Sequence, residues 1–358
     1  MTATPSEDPH RVASHSPPLA GESVIEGVAQ DDERGPAPSS EPPPLPGEGA
    51  RGEAVSRLLA RFEADYTACG QRRYVIPAEA QALAEAIRRA YQATVGAPAV
   101  LRRARVLTEF AASAPVQAHP DDLLLGSQRF ADLTAAPDPG ALESLGYART
   151  TGHIVHDYEG LLRNGIPGYR QALTVALSQA IAADSRAHLQ GFSEALSAFE
   201  TFLRRHAEVA EDSERASDLR YLLSHPPATF PQALQLLWLG HVFLHAENPC
   251  AAISLGRIDQ YLWPFLQADL AAKRLTLQEA FELVCAFCLK CCEGDESQNA
   301  VLGGVDPHGR EATNPLSFLF LEAVRQLRSF QPSLTVRVHP GADPAFLAAA
   351  CDLAAAGL

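Results

Sequence analysis

The spacing of apolar positions divides the chain into a polar start and a long, mostly helical remainder. Residues 1–52 are rich in proline, serine and acidic residues, and ten of the 27 prolines lie in the first 50 positions. This composition is typical of a disordered tail. From residue 53 apolar positions such as Val55, Leu58 and Phe62 recur at helical spacing. We therefore expect a tail at 1–52 and one folded domain at 53–358.

The later part of the chain predicts alternating helices and strands. Apolar helices are expected at Pro231 to His245, with proline in the first turn, at Leu277 to Cys292 and at Asn314 to Leu327. A short strand, Leu334 to Val338, and a helix that opens at Asp343-Pro344 follow. Helix, strand and helix in succession indicate β/α units. The predicted fold class is α/β and helix-rich, an incomplete β/α barrel preceded by a helical region.

Two further segments give less specific patterns. Pro120 to Gly126 combines a turn with a short apolar run and predicts a buried strand. Leu173 to Ala207 keeps helical spacing with Gly191 as its one internal glycine, which predicts either one long helix or a helical hairpin.

The charge and hydropathy of the chain argue against nucleic acid and membranes as partners. The formal net charge is -14, with a sequence pI near 5.3, and no clustered basic face is visible, so nucleic acid is not an expected partner. The most apolar stretch, Ala233 to Leu244, is too short to span a bilayer. With no signal-peptide pattern at the start, we expect a cytoplasmic protein without membrane contact, its seven cysteines reduced.

Four of the cysteines cluster in one helix-like segment. Cys285, Cys288 and Cys291 have a spacing that also occurs in iron–sulfur proteins, and Cys292 follows directly. Because the spacing places most of them on one helical stripe among apolar residues, we expect buried packing rather than metal binding. Cys351 lies in an alanine-rich helix, so we expect its thiol to be buried and inert.

Other catalytic patterns are weak or absent. His241 and His245 are four residues apart on a helix, as in some metal sites, but Val242 stands where metalloproteases have glutamate. We expect a satisfied or partly buried pair. No Gly-x-Ser-x-Gly, G-x-G-x-x-G or Walker pattern occurs, which leaves hydrolase and nucleotide-binding functions without support.

Four polar and glycine-containing motifs follow one another in the second half of the chain. Gly152-His153 and Asp157-Tyr158-Glu159 precede them. The four motifs are Ser254 to Pro264, Leu302 to Asp306, Ala312 to Ser317 and Gln331 to His339. In this order the motifs resemble those of the glycyl radical enzyme family, the pyruvate formate-lyase-like lyases and dehydratases.

The resemblance implies roles for particular residues. The family's corresponding motifs line the substrate cavity, so His153, Ser254 and, more weakly, Asp157 are expected to contact substrate. The remaining polar residues of the motif after Ser254 are expected to form a structural polar network that holds the barrel, and they are Arg257, Asp259 and Gln260. No catalytic residue and no metal ligand is assigned.

The resemblance also implies an architecture and a reaction. Family members enclose radical-bearing loops between two half-barrels, and this chain corresponds to the helical N-terminal region and the first half. The family's thiyl cysteine and glycyl radical cannot be assigned in these 358 residues, so no cofactor is expected to be bound. The implied function is a lyase or dehydratase that breaks a C–C, C–O or C–N bond of a small polar molecule, inactive as this chain alone.

The same resemblance leaves alternative functions open and implies possible partners. A non-catalytic binding or scaffold protein that keeps the cavity is one alternative, and a cysteine-rich metal-binding protein is another. A complete form would need a radical S-adenosylmethionine activating enzyme. A half-barrel exposes a strand edge, which favours association, so a homo-oligomer is an open alternative.

Overall fold

The computed structural model describes most of the chain beyond residue 51. The tail predicted at 1–52 lies, except for Gly52, outside the described residues and stays a prediction. The described residues are 52–68, 77–130, 140–147, 153–210, 213–249, 252–294 and 297–358.

The described chain begins with amphipathic helices, as the spacing of its apolar residues predicts. Their apolar stripes carry fully or almost fully buried side chains such as Leu83, Ile87 and Phe110. Burial of such stripes, rather than helix propensity, supplies most of the stability of short helices. These helices are α1 (Glu53–Ala68), α2 (Pro77–Ala93), α3 (Ala99–Ser113) and the short α4 (Gly140–Ser144).

The segment predicted as one long helix or a hairpin is a hairpin. Its two arms are α5 (Tyr158–Gln179) and α6 (Ala183–Val209), which pack on each other, and α6 also packs along α3. Within α5 the backbone leaves helical geometry at Gly165, where φ is 57°. A Cβ there would lie 2.8 Å from the backbone of Pro226, so glycine permits the close approach.

Two more helices complete the region before the second strand. They are α7 (Glu214–Leu222) and α8 (Phe230–Glu247), and α8 has Thr229 as its N-cap and proline in the first turn. Nearly every side chain of α8 is buried, including Trp238 at 0% exposure. A helix that is apolar all round lies at the centre of a fold. The helix predicted at Pro231 to His245 is therefore confirmed.

The prediction of a buried strand at Pro120 to Gly126 is wrong. Leu124 and Leu125 are buried there, but the backbone is irregular. The backbone here is hydrogen-bonded by a side chain instead of by a neighbouring strand. Oε1 of Gln235 accepts from the N–H of Leu125 at 2.8 Å, and Nε2 donates to its carbonyl at 3.0 Å. These hydrogen bonds satisfy a buried backbone without a ladder.

Four parallel strands alternate with the remaining helices. β1 (Ile154–Val155) pairs with β2 (Ile253–Ser254), and β3 (Asn299–Gly303) pairs with β4 (Ser333–Arg337). A bridge between Gly256 and Ala300 joins β2 to β3. The connecting and following helices are α9 (Ile258–Ala271), α10 (Leu277–Cys291), α11 (Pro315–Leu327) and α12 (Pro344–Ala355).

The strand order makes this arrangement part of a β/α barrel. Strands β1 to β4 lie side by side in sequence order, all parallel, with helices between each pair. Ile253, Leu255 and Leu302 are fully buried on the helical side. The opposite side of the strands is left uncovered by the described helices, and β1 and β4 form the two outer edges. The predicted helix-rich, incomplete barrel is confirmed.

Candidate functional site

One side of the strands packs on the helices and the other is exposed. In β4 the side chains of Leu334 and Val336 pack against the core, whereas Ser333, Thr335 and Arg337 are exposed. This is the period of two expected for a strand with one buried face. The exposed side is referred to below as the open face. Its polar residues on β2, β3 and β4 are Ser254, Asn299, Ser333, Thr335 and Arg337.

Asn299 and Thr335 connect the two longest strands across the open face. Nδ2 of Asn299 donates to Oγ1 of Thr335 at 2.8 Å. Arg337 lies beside Gly304, where a Cβ would be 3.0 Å from the Cβ of Arg337 and φ is 87°. Only glycine therefore fits next to this arginine. Hydroxyl, amide and guanidinium groups on one side of the strands can orient a small polar molecule by hydrogen bonds.

The structure places His153 directly before β1 and Ser254 on the neighbouring strand β2. The N–H of His153 donates to the carbonyl of Ala252 at 2.6 Å, and Val155 is opposite Ser254 in the ladder. His153 is exposed with φ of 62°, an uncommon backbone conformation for a residue other than glycine. Ser254 is partly exposed. The strands thus bring together two segments about 100 positions apart, and a shared contact with substrate stays a prediction.

Asp157 has a clear local role. Its Oδ1 accepts a hydrogen bond from the N–H of Gly160 at 2.8 Å, so it is the N-cap of α5. Such a cap satisfies one of the free N–H groups at a helix start. The side chain is exposed. A contact between Asp157 and substrate stays a prediction, and Gly152 lies outside the described residues.

Asp259 is the centre of a buried polar cluster at the carboxyl end of β3. Its Oδ2 accepts from the N–H of Gly303 at 2.7 Å and from Oγ of Ser317 at 2.6 Å. Arg257 donates to the carbonyl of Gly303 at 3.0 Å, and Gln260 donates to that of Ala312 at 2.8 Å. These hydrogen bonds join the start of α9 to the end of β3 and to α11. Burial raises the pKa of Asp259, although hydrogen bonds from Gly303 and Ser317 oppose the shift.

His241 and His245 are buried more deeply than the sequence suggests. Nδ1 of His241 lies 2.6 Å from the hydroxyl of Tyr158, and its Nε2 lies 2.8 Å from Oε1 of Gln298 and 3.2 Å from Nε2 of His245. Burial lowers the pKa of His241 to about 4 and that of His245 well below its ordinary value. Both rings are therefore neutral at pH 7, and the pair connects α5 and α8 to the residue before β3.

The cysteines of α10 are buried packing residues, as predicted. Cys285, Cys288 and Cys291 are 0% exposed, and Cys292 follows at 1%. Burial raises the pKa of Cys288 and Cys291 well above the ordinary value and that of Cys292 to about 12. They are therefore thiols at pH 7. Throughout the described ranges, no group of three histidine, cysteine or acidic side chains is placed to hold a metal ion.

The prediction that Cys351 is buried is wrong. Its side chain is exposed, whereas the buried side chains of α12 are Phe346 and Leu353. Alanine is compatible with either face of a helix, so the alanine-rich sequence does not reveal which side is covered. Cys351 thus lies on an outer helix rather than in the core.

The open face also contains residues that were not singled out from the sequence. Asn299, Thr335 and Arg337 lie within or next to the quoted motifs but were not assigned a contact. The signal that could have identified them is the alternation Ser-Leu-Thr-Val-Arg over Ser333 to Arg337, which marks the polar residues as one face. The strand pairing that joins Asn299 to this face has no local sequence signal.

Comparison with known proteins agrees with this geometry. A model of the pyruvate formate lyase-like family matches residues 130–358, which is more than half of the chain. The parallel strand order with intervening helices is the arrangement expected of its first half-barrel. The chain belongs to this family, the glycyl radical enzymes.

Curated relatives and solved structures show how much sequence and fold this chain shares with known proteins. The isethionate sulfite-lyase of Nitratidesulfovibrio vulgaris is 30% identical, over 54% of this chain and 28% of the relative. Escherichia coli YbiW, described as a probable dehydratase, is 35% identical over 45% of this chain and 22% of its own length. The glycerol-bound B12-independent glycerol dehydratase of Clostridium butyricum has the same fold, with a TM-score of 0.74 and 22% identity over 87% of this chain and 50% of that structure.

The chain spans about a quarter of the length of these curated relatives and half of that of the solved structure. Family and fold are therefore established for the matched part. No helix among the described residues is long and apolar enough to cross a membrane.

Proposed function

We propose that the chain forms the substrate-binding first half of a glycyl radical lyase or dehydratase barrel. The observation that supports this is the open face of four parallel strands, which carries polar side chains on a family half-barrel. Such groups suit a small molecule with several hydroxyl groups or one anionic group. The reaction class is cleavage of a C–C, C–O or C–N bond.

Within this proposal the residues of the open face bind and orient the substrate. His153 and Ser254 contribute hydrogen bonds from β1 and β2, and Asp157 contributes a weaker one beside its capping role. Arg337 adds a positive charge at the end of β4. Arg257, Asp259 and Gln260 hold the strand ends in place without touching substrate. Positioning of this kind lowers a barrier because the reacting bond is held in one geometry.

A non-catalytic binding or scaffold role is the second candidate. All five described cysteines lie in or directly after α10, or on α12, and none lies on a described strand. The family's reaction needs a cysteine beside the substrate, which these positions do not offer. Cys69 and Cys250 lie outside the described residues. The positions of the described cysteines thus favour a part of the protein that binds substrate without converting it.

Binding of small polar molecules tests the proposal directly. Glycerol and isethionate are suitable probes, because similar proteins are named for them. We expect calorimetry to detect binding of at least one probe, and Ser254→Ala and His153→Ala to weaken it at least tenfold. Ser224→Ala and His188→Ala, at exposed positions away from the strands, are matched controls. Equal weakening by the controls, or no binding of either probe, contradicts the proposal.

A further inference from the structure

A cavity lies in the helical layer, away from the strands. Its volume is about 210 Å³, and it is bounded by α1, α2, α6, α10 and the irregular segment 115–129. No strand residue lines it. A cavity of this volume holds a molecule of several heavy atoms rather than one water. It is therefore separate from the open face.

Three ion pairs surround this cavity. Arg61 pairs with Asp122, Arg129 lies 3.3 Å from Glu79, and Lys290 lies 3.0 Å from Glu293. The side chains of all but Arg61 are no more than 17% exposed. Charges withdrawn from water to this degree are costly, and a pocket with several of them is uncommon unless they are used. All six are lining residues of the cavity.

The charges interact across the cavity as one group. Burial by itself would raise the pKa of Asp122. The positive charge of Lys290, together with hydrogen bonds from His119 and Arg61, outweighs this effect and holds the pKa below its ordinary value. Burial raises the pKa of Glu79, and the positive charge of Lys290 opposes this shift. Three cations and three carboxylates leave the lining without net charge. A ligand with a net charge would leave one buried charge unbalanced, whereas a dipolar neutral ligand would not.

Two atoms of these pairs lack a hydrogen-bond partner among the described residues. They are Nη1 of Arg61, which is a donor, and Oε2 of Glu293, which is an acceptor. Glu293 is 92% buried, given its 8% exposure. A buried polar atom without a partner is uncommon in native proteins and indicates a missing partner. The donor needs a hydrogen-bond acceptor, for which a carboxylate oxygen is well suited, and the acceptor needs a donor, for which an ammonium group is well suited.

The ring of His206 also lines the cavity as a neutral group. Its Nδ1 lies 2.8 Å from the carbonyl of Phe202 and can only donate there, so Nε2 is the acceptor of the neutral ring. Burial lowers the pKa of His206 to about 4. A neutral acceptor next to Lys290 leaves the charge balance unchanged. It adds a second position at which a ligand ammonium or hydroxyl group can donate.

We propose that this cavity is a binding site for a small zwitterion, a molecule with one carboxylate and one ammonium group, of amino-acid size. Its carboxylate contacts Arg61 and its ammonium contacts Glu293. The site is distinct from the substrate site on the open face. The cavity lies against α10, which packs on α11 beside the strands, so a ligand there would brace the helical layer behind the barrel.

Calorimetry on the full chain tests the proposal with matched probes. Glycine, L-serine and 4-aminobutyrate are the zwitterions, glycolate lacks the ammonium group and ethanolamine lacks the carboxylate. We expect at least one zwitterion to bind, and both single-charge analogues to bind at least tenfold more weakly. No zwitterion binding at millimolar concentration, or equal binding of an analogue, overturns the proposal.

Two variants locate the site. Ala118→Leu fills the cavity without changing its charge, and Glu293→Gln removes the proposed ammonium contact. Each should weaken zwitterion binding at least tenfold, whereas Ala97→Leu, at a partly buried alanine outside the cavity, and Ser254→Ala should not. Thermal melts of each variant show whether it is folded. Unchanged binding by a folded Ala118→Leu variant, or loss with Ser254→Ala, rules out this cavity.

Discussion

The carboxylate of Asp259 accepts a hydrogen bond from the N–H of Gly303 at 2.7 Å, although the two residues are 44 positions apart. The same oxygen accepts from Ser317. One buried side chain thus connects the start of α9, the end of β3 and the start of α11. It holds the carboxyl end of the longest strand pair, where the open face meets Gly304 and Arg337.

Replacing Asp259 should destabilise the fold strongly. Asp259→Ala leaves the N–H of Gly303 and the hydroxyl of Ser317 without an acceptor in a buried place. Each unsatisfied group costs about 1–3 kcal/mol, so we expect a loss of about 2–6 kcal/mol in the free energy of unfolding, measured by urea denaturation. Asp352→Ala, on the exposed side of α12, should change it by less than about 0.5 kcal/mol. Equal losses would show that the cluster contributes little.

The buried histidines predict a pH dependence of stability. His206 and His241 have pKa values of about 4 in the fold, below the ordinary 6.5, because burial disfavours the charged ring. Between these values the unfolded chain binds more protons than the folded one. Stability is therefore full above about pH 6.5 and falls as pH drops toward 4, by up to about 1.4 kcal/mol per pH unit for each histidine.

Denaturation at a series of pH values checks this slope. His206→Gln removes one titrating group, so its slope between pH 6.5 and 4 should be smaller than that of the wild type. His188→Gln, at an exposed position of the same helix, should keep the wild-type slope. A His206→Gln variant with the wild-type slope would mean that the fold does not lower the pKa of this ring.

The cysteines should differ sharply in reactivity. A thiol reagent attacks the thiolate, so burial protects Cys285, and burial with a raised pKa protects Cys288, Cys291 and Cys292, whereas Cys351 is exposed. We expect iodoacetamide to modify Cys351 rapidly in the native chain and the α10 cysteines only after unfolding. Peptide mapping by mass spectrometry distinguishes the sites. Rapid native labelling of Cys288 would contradict the buried stripe.

The chain alone should not form a glycyl radical. No glycine of the 358 residues is assigned the family's radical and no cysteine the thiyl role, so we predict that an activating enzyme does not generate a radical on this chain. After anaerobic incubation with such an enzyme and S-adenosylmethionine, we expect electron paramagnetic resonance to give no glycine-centred signal. A full-length relative is the positive control. A signal that disappears on substitution of one glycine of this chain would overturn the expectation.

Much of the fold could be predicted because its signals are local. The start of α8 at Thr229 and Pro231, and the helix after Asp343-Pro344, are marked by capping residues within one turn. By contrast, β1 and β2 have two residues each and are defined only by their pairing. The backbone of Leu125 looked like a strand because its partner, the side chain of Gln235, is 110 positions away.

The candidate site was predictable only in part for the same reason. The resemblance pointed to His153 and Ser254; the structure places His153 directly before β1 and Ser254 on the adjacent strand β2. It did not point to Asn299, whose contact with Thr335 depends on the register of β3 and β4. The charged cavity could not be predicted from the sequence, because Arg61 of α1 and Glu293, just after α10, are more than 200 positions apart.

The location of a bound probe on the open face tests the central claim most directly. A crystal structure of the chain grown with glycerol or isethionate should show the probe on the open face, with one of its oxygens about 3 Å from Oγ of Ser254 and another within reach of the ring of His153. The account is contradicted if the probe binds at full occupancy elsewhere while the open face holds only water, or if His153 and Ser254 point to opposite sides of the strands.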